Sequence, residues 1–202
     1  MDRTGRPRDP HIDNAVLEAT SDVLSLVGYA RLTMEEVARR AGTTKPAVYR
    51  RWPNRQFLVL DALVRRLGLS VTRVPDSGCV VCDLVDAVGV FQTAYGQMPP
   101  GVLAALLADC TGQPGLRSRF MTKLFHPPRD TVGRVIDRAK ARGDLRADLD
   151  VELAVDLLGS LVYCRALFGH GPAQGETLVA TLLRGMAANT RESTGDHQHA
   201  LD

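Results

Sequence analysis

The chain contains no apolar run near the roughly 18 residues that a membrane-spanning helix needs, and none follows the polar opening from Met1 to Arg6. Neither a span nor a secretory leader is expected, and the reading is a cytoplasmic chain. Aromatic residues are scarce: five Phe, four Tyr and one Trp among 202 residues. Of the four cysteines, Cys79, Cys82, Cys110 and Cys164, only Cys79 and Cys82 lie close together, in a C-x-x-C. A zinc site takes about four ligands, and no second Cys/His pair has a matching spacing, so no metal or other cofactor is expected. The sequence has no Walker-type phosphate loop, no G-x-S-x-G and no H-E-x-x-H. Its five histidines (His11, His126, His170, His197, His199) are scattered or lie near the C-terminus. An enzyme is therefore not expected. Strand-type alternation is missing as well, which points to an all-α chain.

The charge is unevenly placed. Residues 1–70 hold 12 basic and 8 acidic side chains, against 13 and 15 in residues 71–202. Between Arg31 and Arg66 the ratio is 9 to 3. A short basic region on a near-neutral chain suits an anionic partner at one end.

Apolar periodicity predicts about nine helices. Residues 1–10 read as a flexible basic arm. A first helix spans about Ile12 to Val27 and ends at Gly28, a left-handed C-terminal cap. Thr33 opens a second helix with Glu36 completing a reciprocal capping box, and Ala41–Gly42 ends it. Thr44 caps a short third helix carrying Pro46 in its first turn, which ends near Arg51. The fourth runs from about Arg55 to Ser70. A linker around residues 73–78 precedes helices at roughly 79–96, 100–111, 115–125, 128–142, 150–168 and 174–190, divided by Pro and Gly signals. Residues 192–202 read as a disordered tail.

The two short helices between Thr33 and Arg51 meet through Val37, Ala38, Ala41 and Val48. Ala38 is small enough for a close crossing, and Gly42 supplies the positive φ of a tight turn. That arrangement reads as a helix-turn-helix with an outer face free for a major groove, with a plain helical hairpin as the alternative.

The run from Leu32 to Gly42 (LTMEEVARRAG), followed by Lys45 to Trp52 (KPAVYRRW), resembles the DNA-binding signature of the tetracycline-repressor (TetR) family. Gly28–Tyr29 and Asn54–Arg55 fit the same pattern, and the match covers about residues 10–66. The resemblance implies a DNA-binding domain over 11–70 and a helical effector-binding and dimerisation domain over 71–191. It implies that Thr44, Lys45, Pro46 and Ala47 face base edges, with Lys45 on guanine. Tyr49, Arg51, Thr33 and Arg55 would hold phosphate, and Arg50 bases or backbone. The alternative for Tyr49 is partial packing beside Trp52, itself read as a packing anchor. Arg3, Arg6 and Arg8 reach a minor groove or stay solvated.

For the second domain, the implied effector pocket draws on Phe91, Tyr95, Met98, Leu106, Cys110, Phe120, Met121 and Leu124, with ordinary core as the alternative. Gln92, Asp109 and His126 are candidate polar handles. A homodimer interface is expected through Ala154, Leu157, Leu158, Leu161, Leu178, Leu182, Leu183 and Met186, packed as a four-helix bundle across a two-fold axis. The functional expectation is a repressor released from a palindromic operator by a small apolar ligand, through movement of the fourth helix. The alternative is a thiol-based redox sensor using Cys79 and Cys82, against which the apolar neighbours Val80, Val81 and Leu84 suggest burial.

Overall fold

In the computed structural model, which describes residues 10–68 and 74–184, every regular element is helical. The order is α1 (Pro10–Arg31), α2 (Met34–Arg40), α3 (Lys45–Tyr49), α4 (Arg55–Gly68), α5 (Val80–Gly96), α6 (Val102–Thr111), α7 (Pro114–Phe120), α8 (His126–Arg142), α9 (Val151–Leu167) and α10 (Gly175–Arg184). Arg3, Arg6, Arg8, Ser70, Met186 and the C-terminal tail lie outside the described residues.

Local chemistry explains most boundaries. Thr33 caps α2 by accepting the Glu36 N–H at 3.2 Å, and Thr44 caps α3 by accepting that of Ala47 at 3.4 Å. The expected reciprocal half of the α2 box does not form. The Glu36 carboxylate turns to Arg39 and Arg40 at 2.7–2.9 Å instead, where two guanidinium groups outbid one backbone amide. Gly28 has φ 75° but ψ 174°, a positive-φ conformation outside the left-handed helical region, so it kinks α1 and one further turn follows. Asp150 caps α9 by accepting the Leu153 N–H at 3.1 Å.

The helix expected to stop before Pro127–Pro128 does not stop. Met121–Phe125 form a π turn in which the His126 N–H reaches back to the Met121 carbonyl, fusing α7 to α8. The wider turn carries the chain into the prolines, which sit in the first turn of α8 where a missing N–H is harmless. Counting α7, the π turn and α8 as one body leaves nine among the described residues.

Two apolar cores result. The first joins α1–α4 to α6, α7 and the π turn, around Val16, Val48, Leu58, Leu60, Leu106, Leu116 and Phe120. The second joins α5, α8, α9 and α10 around Phe91, Val132, Ile136, Val155 and Val179. Val74, read as linker, is buried in the second core. The α6–α7 segment thus belongs by packing to the N-terminal half, and α4 is not the sole bridge between the halves. Among the described residues, no helix is long and apolar enough to cross a membrane.

Candidate nucleic-acid interface and effector cavity

Helices α2 and α3 are set by what they bury. Val37 and Val48 are fully inaccessible, Ala38 and Ala47 nearly so, and Gly42 turns the chain between them at φ 62°. With that face inward, Thr33, Thr44, Lys45, Pro46, Tyr49 and Arg50 are exposed on the other. Two residues read from sequence as DNA contacts are not on it. Ala47 is buried beside Val48. Arg51 is 12% exposed and bound to Asp13 of α1 and to the Ala47 carbonyl, since one helical turn from Ala47 returns it to the inner face.

Lys45 pairs with Glu35 across the turn at 3.6 Å, both side chains open to solvent. The two guanidinium groups beside Glu36 hold its carboxyl down at about 2. Arg55 lies 5.2 Å from the centre of the Tyr29 ring and donates to the Ala30 carbonyl at 3.1 Å, at the junction of α1 and α4.

Behind this face, polar side chains tie it to α6 and α7. The Trp52 indole N–H donates to Asp61 at 2.8 Å, and Arg119 grips the same carboxylate with two bonds of 2.9 and 2.7 Å. The Tyr29 hydroxyl donates to Asp109 at 2.6 Å, and Asn54 donates to Gln113 at 3.1 Å. Burial and the Asp109 carboxylate push the Tyr29 hydroxyl well above its ordinary pKa. Local sequence does not reveal the contacts of Arg119, Asn54 and Tyr29, whose partners are 58 to 80 residues apart.

A cavity of about 500 Å³ opens between the two cores. Phe91, Tyr95, Phe120, Phe125 and Tyr163 line it, five of the ten aromatic residues in the chain, with Leu103, Leu107 and Leu124. Phe91 and Tyr95 stack with planes 10° apart, and Tyr163 tilts against Tyr95 at 5.6 Å. Burial pushes the Tyr95 hydroxyl up to about 12. The polar end is Arg129, Asp156 and Ser160. Arg129 pairs with Asp156 at 2.6 Å and Glu152 at 3.3 Å and lies over Phe125. Gly159 lets α9 close on the Phe91 ring; a Cβ there would stand 3.1 Å from it.

Of the pocket residues read from sequence, Phe91, Tyr95, Phe120 and Leu124 line the cavity. Leu106 and Cys110 are buried in the first core, Met121 packs against it, and Met98 borders a separate groove. The proposed handles point elsewhere: Gln92 to the Ala173 carbonyl, Asp109 to Tyr29, and His126 against the edge of Phe125.

On α9 and α10, Leu153, Leu157, Leu161, Leu183 and Phe168 are 57, 47, 43, 40 and 69% exposed. Leu158 and Leu178, read as interface, are buried in the second core; Ala154 and Leu182 pack partly against it. Leu153 and Phe168 are exposed beside the residues expected at the interface and were not among them. Cys79 and Cys82, expected to be buried, are exposed: Val80 and Val81 do not cover them, since the helix turns Asp83 and Leu84 inward and leaves Val81 outside.

Comparison with known proteins places this architecture. Residues 16–62 match the family description of bacterial regulatory proteins of the tetR family. Residues 74–193 match the tetracyclin repressor-like C-terminal domain. The chain is 28% identical over 167 residues to the HTH-type transcriptional regulator YdeS of Bacillus subtilis, covering 82% of this chain and 83% of that one. It is 28% identical over 158 residues to the DNA-binding transcriptional repressor TetR of Mycobacteroides abscessus, covering 78% and 83%. The crystal structure of the TetR-family transcription regulator SCO0332 superposes with a TM-score of 0.69 at 28% identity, over 88% of this chain and all of that one. The chain belongs to the tetracycline-repressor family and is a DNA-binding transcriptional regulator.

Proposed function

We propose that this regulator is a homodimeric repressor that leaves a palindromic operator when a small aromatic molecule fills the cavity of residues 91–163. The observation that carries the reading is the division of α3: Val48 and Ala47 seal its inner face, while Lys45, Pro46, Tyr49 and Arg50 are exposed on the outer one. Residues 11–70 form the DNA-binding unit and 71–191 the effector and dimer unit. Thr44, Lys45, Pro46 and Arg50 read bases; Thr33, Tyr49 and Arg55 take phosphate. Arg51 braces α3 on α1 through Asp13. Repression agrees with the Mycobacteroides abscessus relative, which is named a transcriptional repressor.

The ligand is read from the lining. Five aromatic rings favour a flat unsaturated body. Arg129, Asp156 and Ser160 favour a polar group at one edge, which exchanges with the existing ion pair. The signal passes through side chains as well as through α4. Phe120, Leu124 and Phe125 form one wall of the cavity, and Arg119, next to that wall, holds Asp61 and thereby Trp52 at the end of the recognition helix. A ligand that shifts the π turn shifts Arg119. A 100-fold preference for the DNA-incompetent state corresponds to about 2.7 kcal/mol of coupling, and linkage requires DNA to weaken ligand binding equally.

Selection from a random duplex pool tests the DNA half. The expected product is an inverted repeat whose half-sites sit about 10–10.5 base pairs apart, or a multiple of that. No enriched repeat, or binding by a monomer to single half-sites only, overturns the reading. The ligand half is tested by screening small aromatic molecules for release of the selected operator. A ligand that releases it with unchanged affinity in the presence of DNA overturns the coupling.

A further inference from the structure

Cys79 and Cys82 stand outside both the DNA face and the cavity. Cys79 is the N-cap of the 17-residue α5, with extended backbone (φ −111°, ψ 109°), and its sulfur accepts the Cys82 N–H at 3.4 Å. Both thiols are exposed. The neighbouring Cys82 side chain chiefly lowers the Cys79 pKa, and Cys79 raises that of Cys82. The helix N-terminus adds unpaired amides and the positive end of its dipole at Cys79. Asp83, the nearest carboxylate, opposes a thiolate, but it is bound by Ser77 and by Arg142 at 3.0 Å. Asp76 and Asp144 complete the charged group around Arg142. The two thiols are therefore unlike, one prepared to attack and one to stay protonated until needed.

We propose that Cys79 and Cys82 are a redox-active dithiol that closes reversibly to a disulfide by exchange with a small-molecule disulfide. The Cys79 thiolate attacks one sulfur of RSSR; that S–S bond breaks, and RS⁻ leaves and is protonated. Cys82 then gives up its proton, and its thiolate attacks the Cys79 sulfur of the mixed disulfide, expelling the second RS⁻. Two protein thiols lose two electrons, one RSSR becomes two RSH, and the two thiol protons end on them. The geometry permits closure. Residues three apart on a helix have Cβ atoms about 5–6 Å apart, against roughly 3.5–4.5 Å in a disulfide. Cys79 is not yet helical and can turn to close that gap. Closure changes the acceptor of the first turn of α5 at the point where Ser77, Asp83 and Arg142 pin α5 to α8.

The full-length protein, equilibrated in glutathione mixtures spanning roughly −300 to −150 mV, is acid-quenched, alkylated and mapped by mass spectrometry. The expected result is loss of two hydrogens in the peptide holding Cys79 and Cys82, with its midpoint inside that window. Cys110 and Cys164 form no intramolecular bridge. Cys82→Ser accumulates a glutathione adduct on Cys79 that the wild type resolves. At pH 7, iodoacetamide modifies Cys79 several-fold faster than Cys164. A pair that stays reduced across the window, equal adduct levels in the two proteins, or Cys79 reacting no faster than Cys164 overturns the proposal. Cys79→Ser keeps a cap oxygen and serves as the folded control. Operator binding by the reduced protein is followed separately, so failure of the repressor reading and failure of the dithiol are distinct results.

Discussion

Lys45 offers the sharpest residue-scale case, because its ammonium is already engaged. In the free protein it faces Glu35 at 3.6 Å with both side chains well exposed, an ion pair worth little on its own. On the proposed DNA face the same carboxylate is a negative charge held against phosphate, and Lys45 would leave it to reach a base. Glu35→Ala is therefore expected to tighten operator binding several-fold, most strongly at low salt, with no loss of thermal stability. Fluorescence anisotropy across a salt series measures it; unchanged or weaker binding would show that Lys45 does not work at the DNA surface. Asp61 is the contrasting case. It is shared by Trp52 and Arg119 and only partly exposed. Asp61→Asn keeps the shape but loses the charge-assisted grip on Arg119, at a stability cost of about 1 kcal/mol given the exposure of Arg119. The expected functional effect is larger. A ligand should still bind the cavity, yet release the operator with less than a tenth of its former effect. Full release by the variant removes Arg119–Asp61–Trp52 from the coupling route.

At the scale of elements, the clamp between α5 and α8 carries a pH signature. Asp83 is buried, and hydrogen bonds from the Ser77 hydroxyl and N–H, with Arg142, hold its carboxyl below the usual range. An unfolded aspartate titrates near about 3.9. The unfolded chain takes up that proton first, so the contribution of Asp83 is fully present above about pH 4 and is lost as pH falls through the lower folded value. Asp83→Asn should lower the melting temperature at neutral pH and flatten its fall below about pH 4. Parallel melting curves for the two proteins across the acid range would refute the assignment. The elements themselves were legible to different degrees. Thr33, Gly42 and Thr44 carry local signals, so α2 and α3 were readable from the sequence. Pro127–Pro128 misled, because a π turn can deliver a helix into its own prolines. Ala47 and Arg51 were placed outward by family resemblance, while the helical period turns them in behind Val48. Phe91 and Tyr95 could be read as cavity candidates from their chemistry. Arg129, Asp156 and Tyr163 could not, since nothing local says that α8 and α9 bring them together.

Among the described residues, α9 and α10 leave an apolar stripe uncovered. Leu153, Leu157 and Leu161 recur every four residues along α9, Leu183 is exposed on α10, and Phe168 ends the row at 69% exposure. The inward residues between them, Val155, Leu158 and Val162, already fill the second core, so the outer row is surplus to the fold of the monomer. Burying one such leucine is worth about 1.5–3 kcal/mol, and a two-fold axis uses each twice. Dimerisation also explains how a five-residue recognition helix suffices. Two linked half-sites gain about 10²–10⁴ in avidity over one, provided their separation matches the groove repeat. Leu157→Asp places a charge in the centre of the row at a position the monomer fold does not need. The variant is expected to keep its helical content and sediment as a monomer at micromolar concentration. It should bind a single half-site as the wild-type domain does, and bind the full operator at least a hundredfold more weakly. A variant that remains dimeric, or a monomer that holds the full operator with wild-type affinity, would refute this face as the interface on which DNA binding depends.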